Sequence, residues 1–331
     1  MDLIVLWIVV FLALSFDFIN GFHDTANAIA TSVSTRALKP RVAIILAAVM
    51  NFVGAITFTG VAKTIGSGVA DPSKLDHGVE IVIAALLAAI AWNLITWWFG
   101  IPSSSSHALI GSLAGAVIAG AGLDEINSSG IMKIIQALIL SPLIAFSAGF
   151  IIMWILKLVF AKSSPHQVNK GFRFGQIITA AFQSFSHGTN DAQKAMGIIV
   201  FALVAAGMQD TMDVPLWVKI SAATAMALGT SVGGWKIIKT MGTKIFKIEP
   251  INGFAADIGS AAVILTATMI HLPVSTTHVI TSSILGVGSA KRFSAVKWGV
   301  AGRILIAWVI TIPITVLMAM FFFWLIHLFF L

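Results

Sequence analysis

Apolar residues run along this chain in stretches long enough to cross about 30 Å of hydrocarbon, and short polar clusters cut into them at recurring places. The pattern predicts an all-α integral membrane protein, with a first helix over Met1–Ile19. The interruptions come in pairs. Gly21-Phe22-His23-Asp24-Thr25-Ala26-Asn27-Ala28 returns as Gly188-Thr189-Asn190-Asp191-Ala192-Gln193-Lys194-Ala195, at an offset of 167. Pro102-Ser103-Ser104-Ser105-Ser106-His107 returns as Pro273-Val274-Ser275-Thr276-Thr277-His278, at an offset of 171. Order and spacing are both preserved, so the chain divides into two repeats, 1–160 and 174–331, joined by a polar linker at 161–173.

Composition fits a lipid solvent. Apolar residues make up 58% of the 331, charged residues only 10%, and the mean hydropathy is +0.98. Without cysteine there are no disulfides, thiolate metal sites or cysteine nucleophiles. Asp2 stands where a signal peptide carries its positive region, so the first helix reads as retained. The net charge of +7 is no sign of nucleic-acid binding, because the basic residues gather in particular loops.

Those loops set an expected topology. Arg36, Lys39 and Arg41 crowd the first loop, whereas the matching loop of the second repeat carries Asp210 and Asp213. Asp71, Asp76 and Glu80 outweigh Lys63 and Lys74, yet the corresponding segment has Lys236, Lys239, Lys244 and Lys247. Asp124 and Glu125 follow the first serine cluster; Lys291, Arg292 and Lys297 follow the second. Equivalent loops of opposite charge are expected of repeats inserted in opposite orientations. With every basic loop in the cytoplasm, both termini lie outside. Stretches 81–120 and 250–290 then each leave and return on one side, as re-entrant hairpins with a Pro-Ser tip. Two full crossings joined by a tight turn satisfy the charges as well.

The tips suggest an anion. Proline and serine start a new helix at membrane depth, where its unpaired N–H groups carry partial positive charge. Ser103, Ser104, Ser105 and Ser106 on one tip, and Ser275, Thr276 and Thr277 on the other, add hydroxyl donors that rotate to fit a tetrahedral oxyanion. Asp24 and Asp191 suggest a cation, because an intramembrane carboxylate is costly and marks an ion or substrate path. Glycine and asparagine beside each aspartate predict an unwound turn whose carbonyls join the side-chain oxygens around the ion. His23, His107, His187 and His278 are weaker candidates for proton relay.

These paired motifs, the opposed halves and the Ser/Thr-rich hairpins resemble the inorganic phosphate transporter (PiT) family over essentially the whole chain. The short central loop resembles its bacterial low-affinity permeases. The resemblance implies a cell-membrane symporter that imports inorganic phosphate with protons or sodium, some bacterial members taking metal–phosphate complexes. It implies a phosphate site at Ser103–Ser106, Ser275–Thr277 and Asn190, with Asp24, Asn27, Asp191, Gln193 and Lys194 around the coupling cation. Asp24 and Asn27 are the ligands if sodium is bound. One departure stands out: Lys194 occupies the position of Asn27 in the second repeat, where the family pattern has asparagine again. An ammonium there can stand in for a bound sodium ion and also exchange its proton, so proton coupling is expected ahead of sodium. A sulfate carrier and an anion channel are the rival readings. A hydrolase is disfavoured by the lack of a Gly-x-Ser-x-Gly or His-Glu-x-x-His motif. No cofactor is implied, the expected partners are phosphate and the lipid bilayer, and a homodimer is left open.

Overall fold

The computed structural model describes residues 3–330; Met1 and Asp2, on which the reading of a retained first helix partly rests, lie outside the described residues. Twelve α-helices follow one another, with no strand among the described residues: α1 Leu3–Ser34, α2 Pro40–Ala55, α3 Gly60–Gly68, α4 Gly78–Phe99, α5 Ser105–Gly120 and α6 Ser128–Val159, then α7 Pro165–Ala205, α8 Leu216–Val232, α9 Trp235–Lys239, α10 Pro250–Met269, α11 Thr276–Arg292 and α12 Trp298–Phe330. α1, α4, α6, α10 and α12 are long and apolar enough to cross a membrane. α7 is longer still, at 41 residues, and nearly every side chain from Gln183 to Leu203 is buried in protein, which lets Gln183 to Lys194 be polar where a lipid-facing helix is apolar.

The sharp breaks fall in α2–α3, bent by 73°, and between α8 and α9, where Gly233 takes a φ of +74° and a π-helical turn over Thr240–Lys244 follows α9. The expected unwinding at Asp24 and Asp191 is not found. α1 and α7 run through both motifs as uninterrupted helix, so the carbonyls there stay in the helical ladder and the motifs act through side chains alone. The linker is also shorter than expected: Ser164 accepts from the N–H of Gln167 and Pro165 occupies the first turn, so α7 begins inside 161–173.

Each Pro-Ser tip joins two packed helices, α4 to α5 and α10 to α11, through a short extended segment. Gly100, at φ +64°, ends α4 in the left-handed cap that glycine adopts without strain. The helices cross-pack between the halves: α5 lies on α12, α6 on α11, α1 on α8 and α2 on α7. The last two contacts are backbone-close. A Cβ on Gly21 would meet the Met226 carbonyl, and one on Gly229 the Phe18 carbonyl; Gly54 and Gly188 mark the same approach between α2 and α7. Two apolar cores result. One gathers the first half of α1 with α3, α4, α5 and the end of α7; the other gathers α2, α9, α10 and α11. Between them lies a layer of buried polar side chains.

Candidate functional site

That layer is built where α1 and α7 pass the two tips. Asp24 is 1% exposed and Asp191 fully buried. Asp24 accepts from one hydroxyl of each tip, Ser105 through Oδ2 at 2.6 Å and Thr277 through Oδ1 at 2.9 Å. His23 reaches the same Oδ1 through Nδ1 at 2.8 Å and Thr96 of α4 through Nε2 at 3.0 Å. Asn27, one turn on, donates to Thr277 Oγ1 at 2.7 Å. A single carboxylate therefore ties the two hairpins together.

Asp191, at the matching position of the second motif, has different partners. Thr276 and Asn20 each donate to Oδ2 at 3.2 Å, and His187 Nε2 lies 3.4 Å from it. Lys194 Nζ lies 2.7 Å from Oδ1 and donates to Ser105 Oγ at 3.1 Å. At 1% exposure the lysine does not reach a membrane surface; its charge is held inside, between Asp191 and the first tip. Asp24, His187 and Asp191 offer ligand atoms within 4.8 Å of one another, close enough to hold one small cation between them.

The hydroxyls have separate tasks. Ser104 and Ser275 cap α5 and α11 by accepting from the N–H groups of His107 and His278 at 3.1 and 3.2 Å. Ser103 donates to Thr96, and Ser106 donates to the Val274 carbonyl of the opposite tip at 2.8 Å. Only Ser105, Thr276 and Thr277 reach a carboxylate. The first two amides of each helix, Ser105 and Ser106 on α5 and Thr276 and Thr277 on α11, have no acceptor within their own helix. Four N–H donors and three rotatable hydroxyls thus converge from two helix ends. His107 and His278 close the back of the site, with ring centroids 4.4 Å apart, and His278 stacks on Trp308 at 3.7 Å.

Two residues expected at the site are used elsewhere. Asn190 donates to Thr268 and the Leu272 carbonyl and accepts from Val274 N–H, so all its polar atoms brace the second hairpin. Gln193 turns toward α3, accepting from Ala62 N–H at 3.1 Å and donating to the Thr189 carbonyl. Conversely, sequence reasoning passed over Asp17 and Asp257, both buried. Asp257 accepts from Thr31 at 2.7 Å and Thr179 at 3.1 Å, near Gln176 and Gln183. The signal was present: positions 17, 20, 24, 27 and 31 form a polar stripe on one face of an apolar helix.

Comparison with known proteins places the chain in a family. Residues 20–319 match the Phosphate transporter family. A probable low-affinity inorganic phosphate transporter of Bacillus subtilis (strain 168) is 65% identical over 314 residues, covering 95% of this chain and 94% of that protein. Its counterpart in Rhizobium meliloti (strain 1021) is 48% identical over 309 residues, covering 93% and 92%. Among solved structures, one described as the sodium-dependent phosphate transporter matches with a TM-score of 0.87 at 26% identity, over 99% of this chain and 100% of that one.

Proposed function

The chain belongs to the phosphate transporter family, and we propose that it imports inorganic phosphate across the cell membrane as a proton-coupled symporter. It is a transporter and not an enzyme. The observation that carries the coupling is Lys194, whose ammonium stands 2.7 Å from Asp191 where the first repeat has Asn27. A fixed positive charge there takes up the role of one coupling sodium, which leaves protons to supply the driving force. Sodium coupling is the second reading, favoured by Asp24 and by Asn27, whose Oδ1 has no hydrogen-bond partner among the described residues. Phosphate is held between the tips, its oxygens taking the amides of the two helix starts and the hydroxyls of Ser105, Thr276 and Thr277. As those hydroxyls turn toward phosphate they leave the carboxylates, so anion binding and charge at Asp24 and Asp191 are linked. The donor set accepts a bare phosphate or a metal–phosphate complex; sulfate, which carries no proton at neutral pH, gives an aspartate nothing to accept from.

The opposed loop charges support a topology with both termini outside and the tips entering from opposite faces. The test of coupling is phosphate uptake into proteoliposomes with proton and sodium gradients imposed separately. Uptake in sodium-free buffer under an inward proton gradient is expected; strict sodium dependence would overturn proton coupling and leave phosphate transport intact. The two-tip site has its own test. Ser105→Ala and Thr277→Val each remove one hydroxyl donor from a different hairpin, and each is expected to weaken phosphate binding by about tenfold or more, for a charge-assisted hydrogen bond of about 1.5–3 kcal/mol. A response confined to one tip, measured by equilibrium binding, would refute joint binding.

A further inference from the structure

Asp17 is a carboxylate that neither the paired motifs nor the tip hydroxyls use. It stands seven residues before Asp24 on α1, on the same helix face and about 10 Å nearer the N-terminus. Its side chain is fully buried, and neither carboxylate oxygen has a hydrogen-bond partner among the described residues. The neighbourhood is polar nonetheless. Asn20, one turn on, donates to Asp191 and keeps an unpartnered Oδ1; Asn93 of α4, which packs along α1, has both side-chain polar atoms unpartnered.

The charged side chains that bear on Asp17 are Asp191, which repels a negative charge there, and Lys194, which attracts one. They come from α7, together with His187 beside Asp191. α4 meets His23 through Thr96, and its one ionisable residue, Glu80, lies in its first turn, more than four turns before Thr96. The single ionisable residue of α8, Lys219, lies two turns before Met226, the level at which α8 meets Gly21. Three buried carboxylates, Asp17, Asp24 and Asp191, thus share one lysine. Asp24 is surrounded by donors, and the ammonium of Lys194 is engaged by Asp191 and Ser105. Asp17 alone of the three has neither a hydrogen-bond donor nor a direct ion pair among the described residues, and a buried carboxylate in that position binds a proton instead.

We propose that Asp17 is the carboxyl that carries the coupling proton. The inference deepens the proton-coupled reading above and rests on it. One proton from the outer water binds a carboxylate oxygen of Asp17 and stays there while phosphate is enclosed. The same proton passes to the inner water once the site opens inward, and no bond within phosphate changes. Asp17 reaches no tip hydroxyl, so it acts on coupling and not on phosphate recognition.

The experiment uses the full chain in proteoliposomes, in sodium-free buffer with labelled phosphate. For the unmodified protein, an inward proton gradient drives accumulation. Asp17→Asn is expected to lose this accumulation by about tenfold or more while exchanging internal for external phosphate within about twofold of the unmodified rate. Its exchange loses pH dependence. Asp17→Glu restores accumulation with a displaced pH profile. Proton-driven accumulation by Asp17→Asn at the normal rate overturns the proposal, as does parallel loss of exchange in a protein that is folded by gel filtration and thermal melting. If Asp17→Asn does not fold, Asp17→Glu decides: a displaced pH profile supports the assignment and an unchanged one overturns it. Failure of the underlying coupling is seen separately, on the unmodified protein, as a need for sodium, and the Asp17 assignment then falls with it.

Discussion

Asp24→Asn is expected to cut gradient-driven phosphate uptake by about a hundredfold or more, the factor that about 3 kcal/mol of lost interaction energy produces. Asp24 is the one side chain that accepts from both tips, and its charge makes the Ser105 and Thr277 bonds charge-assisted. An amide presents one oxygen and one N–H₂ group, so one of the two hydroxyls must turn away or be met by a donor. The hairpins then lose their common anchor, and the site loses the negative charge that a coupling ion needs. Asp191→Asn is expected to be as severe by another route. It strips Lys194 of its carboxylate at 2.7 Å and leaves a buried ammonium unpaired. Uptake in proteoliposomes, beside a thermal melt of each purified variant, separates lost transport from lost fold. Concentrative uptake at the normal rate in either variant would remove that aspartate from the mechanism.

Lys194 predicts a larger effect on the fold. Lys194→Ala leaves Asp191 with the Asn20 and Thr276 donors and His187 at 3.4 Å but without its ammonium, and breaking a buried pair from one side costs about 3–5 kcal/mol. The expected fall in Tm in detergent is roughly 5–10 °C. Lys194→Asn restores the residue that the first repeat carries at Asn27 and offers an amide oxygen where the ammonium stood. This variant is expected to regain uptake only when sodium is supplied. Sodium-free, proton-driven uptake by Lys194→Asn at the normal rate would show that the ammonium has no part in the choice of ion.

Much of this site is legible in the sequence because it is written twice. The paired aspartate motifs, the two Ser/Thr tips and the lysine beside Asp191 are all visible from spacing, and the structure brings them within hydrogen-bond reach of one another. What repetition does not mark is harder to see. Asp17 and Asp257 have no charged counterpart, since Ser184 and Leu86 occupy the offset positions, so a reading tuned to repeated motifs slides past them. The rule that any intramembrane carboxylate needs a reason would have flagged both. The expected unwinding at Asp24 and Asp191 failed for a different reason. Glycine and asparagine permit a broken helix, but here the glycines serve close packing: Gly21 and Gly188 let α8 and α2 approach the backbone, and the ladder stays whole. Composition cannot say which way a side chain on a continuous helix points, so the bonds made by Asn190 and Gln193 are not legible in it. Asn190 braces a hairpin and Gln193 meets α3.

The cross-packing of the two halves has a consequence for how the chain is made. α5 lies on α12 and α6 on α11, so each half finds the principal neighbours of its own final helices in the other. A nascent chain that has cleared the ribosome as far as α6 must wait through more than a hundred residues of synthesis for α11 to arrive. During that interval Asp24 and Ser105 have no Thr277 to meet. Insertion and assembly are therefore separate events, the second deferred until the last helix leaves the translocon. A stop codon in α12 would remove the support of a hairpin completed some two hundred residues earlier.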